Sequence, residues 1–184
     1  HIRLGRRDEN RNPLIKELVS LTDLNDIVFG AWDLFEDNAY ESAINAGVLD
    51  KELLDQLKNE LSDIVPMKAV FNRDYVKKLD GSYIKKAQNK FEFAEQLRED
   101  IREFRAKNNL DRLVMIWCGS TEIFIEPSTV HKTKESFIQG MKENHPDIAP
   151  SMLYAWAAIA EGVPYANGAP NLSADFPAMY EFAD

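Results

Sequence analysis

Asp33, the block Cys118-Gly119-Ser120-Thr121-Glu122 and the block Asn167-Gly168-Ala169-Pro170 each follow a short apolar run and hold residue types that could do chemistry. A carboxylate at the tip of an apolar strand can accept hydrogen bonds from ribose hydroxyls where the strand meets a cofactor. Glycines let the backbone approach a ligand closely, and the hydroxyls of Ser120 and Thr121 add donors. Each signal has a plainer competitor. Asp33, with Glu36 and Asp37, is equally suited to capping a helix. The glycine blocks are equally suited to ordinary strand-to-loop turns. Their shared place at strand ends raises them, because open parallel sheets bind ligands in the crevice outside the carboxyl ends of their strands.

Other reactive residues have weaker standing. Cys118 as a nucleophile needs a base, and neither His131 nor His145 has a spacing that marks it as one. Both histidines lie in polar contexts and read as surface residues. Lys77, Lys78, Lys85, Lys86 and Lys90 form either an anion-binding surface or, as charge runs usually do, a solvated face. No Cys/His pair has metal-ligand spacing, so no metal is expected. A net charge of −9 argues against nucleic acid. The single cysteine and the lack of a long apolar segment predict a soluble cytoplasmic protein with no membrane partner.

The elements that must position these residues alternate. With 45% hydrophobic residues over 184 positions, one domain with a proper core is expected. A short helix begun by Pro13 is followed by a buried strand over Asp26 to Asp33. Asp37 N-caps a helix that Gly47 closes, and Asp50 caps a second with Leu53, Leu54, Leu57, Leu61 and Ile64 as its stripe. Met67 to Phe71 is a strand, and Phe91 to Lys107 a long amphipathic helix. Leu113 to Trp117, a very apolar run, reads as the central strand. Helices from Thr133 and from Pro150 to Gly162, a strand over Val163 to Ala166 and a Pro177-initiated helix complete the chain. Such alternation predicts an α/β layered sheet with right-handed crossovers.

Several blocks also resemble a known family in order and spacing. Phe29-Gly30-Ala31-Trp32-Asp33, the run on to Tyr40, Val114 to Glu122, Ile148-Ala149-Pro150-Ser151 and Glu161 to Pro170 are similar to those of myo-inositol-1-phosphate synthases, also called inositol-3-phosphate synthases. The resemblance implies a Rossmann-like parallel sheet flanked by helices and an NAD-dependent isomerase of inositol and phospholipid biosynthesis. That enzyme takes glucose 6-phosphate through oxidation, internal aldol closure and reduction back by the same cofactor. By resemblance, Asp33 contacts the cofactor ribose, Cys118, Gly119, Ser120 and Thr121 lie against NAD, and Gly168 and Ala169 form a turn beside it. Relatives often carry Thr-Ala-Asn-Thr in the second block, so the side chains of Cys118, Gly119 and Ser120 depart from the family while Thr121 matches.

The family's glycine-rich pyrophosphate loop precedes the part resembled here, and its catalytic lysines and tetramer-forming sheet follow it. The fold is therefore expected to be incomplete, without the first strand and glycine loop, and residues 1–184 to be part of one NAD-binding domain without the tetramerisation and catalytic domain. No residue of the chain is assigned a catalytic role. The fragment is expected to be inactive alone and to self-associate through open apolar faces. Two alternatives stand: an NAD-dependent dehydrogenase of another substrate, and a non-catalytic α/β interaction module.

Overall fold

A computed structural model describes Arg3, Gly5 and residues 12–184. The charged stretch from His1 to Asn12 lies, apart from Arg3, Gly5 and Asn12, outside them. Among the described residues four short strands form two parallel pairs. β1 (Trp32–Asp33) pairs with β2 (Met67–Lys68), and β3 (Met115–Trp117) with β4 (Tyr165–Asn167). Between β1 and β2 run α1 (Ala39–Ala46), α2 (Lys51–Gln56) and α3 (Lys58–Ser62). α4 (Lys90–Lys107) separates the pairs, α5 (Lys134–Lys142) and α6 (Pro150–Ala160) join β3 to β4, and α7 (Pro177–Ala183) ends the chain. Parallel strands with helical crossovers make this the α/β, incomplete Rossmann-like arrangement expected, but as two separate pieces of sheet.

The core lies around α6. Pro150 to Ala158 is buried without interruption, as expected of a helix that is apolar on every side. Ala94, Leu97 and Ile101 of α4 pack into the same cluster with Phe137, Met141, Phe176 and Met179. Each large side chain buried this way contributes about 1.5–3 kcal/mol.

Sequence expectations fail where pairing is short. Among the described residues the strand read over Asp26 to Asp33 pairs only at its last two residues, and Val28 and Phe29 before them are exposed. Leu113 to Trp117 is not central. Among the described residues β3 has a partner on one side only; Met115 faces the core, while Val114 and Ile116 on the opposite face are 68% and 63% exposed. Asn38, not Asp37, caps α1, in a capping box with Glu41, and Gly47 closes that helix at φ 63°. The leucine stripe does not form one helix. The helix is interrupted at Leu57, and Leu54 is buried while Leu53 and Leu57 are exposed.

Two polar assignments also change. Lys85 and Lys90 do not belong to a solvated face. The Lys85 ammonium lies 2.8 Å from Asp100. Lys90 donates to the carbonyls of His145 and Ile148 at 2.5 and 2.7 Å, and burial lowers its pKa to about 8. Lys77, Lys78 and Lys86 are exposed, as expected. His131 is no surface residue: it is 1% exposed, accepts from Ser128 N–H at Nδ1 and meets the Asp147 carbonyl through Nε2.

Protonating Nδ1 of His131 destroys an acceptor in use, and burial already holds its pKa below the ordinary 6.5. The folded chain then binds fewer protons than the unfolded one, so this contribution to stability is full above 6.5 and is lost as pH falls below it. Urea denaturation across that range is expected to show a loss that His131→Gln reduces. An equal loss in the variant would assign it to other groups.

Candidate functional site

Tyr154 of α6 is the centre of the frame. Its ring lies 5.3 Å from that of Trp32 and 5.2 Å from that of Trp117. Its hydroxyl accepts from Val70 N–H at 2.8 Å. One buried side chain thus touches the end of β1, the segment after β2 and the end of β3. Burial holds its phenol well above the ordinary range, so it stays protonated. Trp32 is fixed from elsewhere by donation from Nε1 to Asp100 at 2.6 Å. Asp33 follows Trp32 and Cys118 follows Trp117, so two of the sequence candidates leave the same aromatic cluster.

Asp33 is half-buried and does not cap α1. Its Oδ1 accepts from the N–H groups of Leu34 and Phe35 at 2.6 and 3.2 Å, which turns the chain just beyond the strand. Among the described residues nothing donates to Oδ2. The carboxylate is therefore oriented by one oxygen and has a second left to accept from a ligand.

The other two candidate blocks meet directly. Gly168 N–H donates to the Trp117 carbonyl at 2.8 Å, and Ala169 N–H to Asn167 Oδ1 at 3.0 Å. Cys118, Gly119, Ser120 and Thr121 are exposed beside them. Close approach explains both glycines. A Cβ on Gly119 would lie 2.9 Å from the Trp117 ring, and one on Gly168 would lie 3.0 Å from the Trp117 carbonyl oxygen. Because Tyr154 backs the indole of Trp117, Gly119→Ala is expected to displace the loop and to cost about 1–3 kcal/mol. Urea denaturation measures this, and an unchanged midpoint would count against it.

Sequence reasoning passed over Tyr154 and gave Glu122 and Asn171, which end or adjoin two of the candidate blocks, no role of their own. Glu122 is only 7% exposed, and its carboxylate accepts from Ser151 N–H and Ser151 Oγ–H at 2.9 and 2.5 Å. Burial raises its pKa above the ordinary carboxylate value. A signal for it existed: α6 opens on Ala149, which has no capping side chain, so an acceptor had to come from elsewhere. Thr121, Glu122, Asn167 and Asn171 share the wall of a cleft of about 690 Å³. Among the described residues no cluster of three or more metal-ligating side chains occurs.

The donor set fits part of a dinucleotide. Asp33 supplies a free carboxylate oxygen, Ser120 and Thr121 supply hydroxyls, and Gly119 and Gly168 supply backbone without side chains. This suits ribose and ring contacts. None of these residues carries the positive charge that would pair with a pyrophosphate.

Comparisons with known proteins bear on the family and the fold. A family model for an NAD-binding domain, described as myo-inositol-1-phosphate synthase, matches residues 1–184. Inositol-3-phosphate synthase 1 of Bacteroides thetaiotaomicron is 51% identical over 179 residues, covering 97% of this chain and 42% of that protein. The inositol-3-phosphate synthase of Trypanosoma brucei brucei is 42% identical over 160 residues, covering 85% of this chain and 30% of that protein. The crystal structure of inositol-3-phosphate synthase from Caenorhabditis elegans superposes with a TM-score of 0.88 at 26% identity, over 99% of this chain and 37% of that one. The chain thus spans less than half of each of these relatives. With the family model matched from end to end, this chain, whose strand ends carry Asp33, Gly119 and Gly168, belongs to the myo-inositol-1-phosphate synthase family.

Proposed function

We propose that residues 1–184 are part of one NAD-binding domain, and that the whole protein converts D-glucose 6-phosphate to 1D-myo-inositol 3-phosphate. The observation that carries the cofactor assignment is the half-satisfied carboxylate of Asp33, oriented by two backbone N–H groups at the carboxyl end of a parallel strand. Asp33 accepts from the ribose hydroxyls, Cys118 to Thr121 lie along the cofactor, and Gly168 and Ala169 close the turn beside it. Bound NAD supplies reversible hydride transfer, which accounts for a reaction without net oxidation. The residues of this chain bind and orient; none of the strand-end set is a general acid suited to aldol closure.

The chain alone is accordingly proposed to be inactive. The remaining catalytic groups and the tetramer interface lie in the longer protein, and exposed Val114, Ile116 and Phe124 are apolar surface available for assembly. Among the described residues no helix is long and apolar enough to cross a membrane, and the lone exposed Cys118 suits a reducing cytoplasm. The test is an assay of glucose 6-phosphate with NAD. The longer protein should form inositol phosphate without net NADH, and the 184-residue chain should form none. Net NADH accumulation would favour a dehydrogenase instead.

A further inference from the structure

Two rungs bridge the segments on either side of the candidate cofactor loop. At one end Gly168 N–H donates to the Trp117 carbonyl at 2.8 Å. At the other Glu122 N–H donates to Asn171 Oδ1 at 3.0 Å. Cys118 to Thr121 span the first segment between the rungs, and Ala169 and Pro170 span the second. The far rung is anchored in both directions. Glu122 is tied to the N-terminus of α6 by the two bonds from Ser151. The Asn171 carbonyl accepts from Asn167 Nδ2 at 2.8 Å, and Asn167 Oδ1 in turn holds Ala169 N–H at 3.0 Å. A continuous hydrogen-bonded chain therefore runs from α6 through Glu122, Asn171 and Asn167 to the turn at Ala169.

We propose that Glu122 is a positioning residue, acting through Asn171 to fix the spacing between the Cys118–Thr121 loop and the Gly168–Ala169 turn. It touches neither candidate ligand group itself. Its burial makes the linkage rigid, since a broken bond at a buried group is not replaced by water. What the carboxylate contributes is shape and bonding rather than charge. A glutamine can accept from Ser151 N–H through its oxygen and donate to Ser151 Oγ through its amide, and it removes a buried charge. Glu122→Gln should therefore preserve the chain of bonds that Glu122→Ala breaks.

Amide hydrogen exchange on the 184-residue chain separates these roles. Glu122→Ala is expected to speed exchange at Ser151, Gly168 and Ala169 by about tenfold. Asn171→Ala should speed Gly168 and Ala169 alike while Ser151 keeps its protection, which a purely local capping role would not produce. Glu122→Gln should resemble the unmodified chain at all three. The proposal is overturned if Asn171→Ala leaves Gly168 and Ala169 within about twofold of the unmodified chain, or if Glu122→Gln behaves as Glu122→Ala does. Should Glu122→Ala fail to fold, the other two variants decide. The link to ligand rests on the NAD reading above. NAD titration of the same samples tests that reading separately, with binding about tenfold weaker expected for Asn171→Ala.

Discussion

Tyr154→Ala is expected to cost roughly 3–5 kcal/mol, the range for deleting a large buried aromatic side chain. The loss falls where the two pieces of sheet are joined, since Trp32, Trp117 and the Val70 N–H all meet this residue. Against a total stability of about 5–15 kcal/mol for a domain, that is enough to unfold a marginal chain. Tyr154→Phe keeps both ring contacts and leaves the Val70 N–H and carbonyl without their hydroxyl partner, so about 1–3 kcal/mol is expected. Urea denaturation of the two variants should rank them in that order. An alanine variant within about 1 kcal/mol of the unmodified chain would mean that the two sheet pieces are held together elsewhere.

The second large effect is on ligand binding. Asp33→Ala removes both the acceptor for Leu34 and Phe35 N–H and the oxygen left for a ligand. Asp33→Asn retains one oxygen for the backbone and replaces the other with a donor. Loss of a hydrogen bond to a charged acceptor is worth about 1.5–3 kcal/mol, so NAD is expected to bind at least about tenfold more weakly to either variant. The asparagine form should keep near-normal stability because the turn after β1 survives. Equal NAD affinity in all three proteins, by calorimetry, would remove Asp33 from the site.

Local signals with a stereochemical cause were legible in the residues. Pro150 and Pro177 open helices, Thr133 caps α5, and Gly47 closes α1. The alternation of strand and helix led to the parallel pairs. Tertiary context overrode the rest. Val114 and Ile116 have the apolarity of a central strand, but apolarity does not report how many neighbours a strand has. Lys90 and His131 look like surface residues until backbone carbonyls from a distant loop are folded against them. For the site, the three strand-end blocks were visible as composition. Their frame was not, because Tyr154 and Asn171 act through contacts far along the chain: Val70 lies 84 residues from Tyr154, and Glu122 lies 49 from Asn171.

We propose that the strand-end blocks form a cofactor site within this chain. Amide spectra of the 184-residue protein recorded during an NAD titration test it most directly. Saturable shifts at Leu34 and Phe35, at Gly119 to Thr121 and at Gly168 and Ala169 are predicted, with the amides around Lys90 and Asn144 unmoved. Shifts confined to the Lys90 region, or none at any of these strand-end amides as NAD is raised, would contradict it.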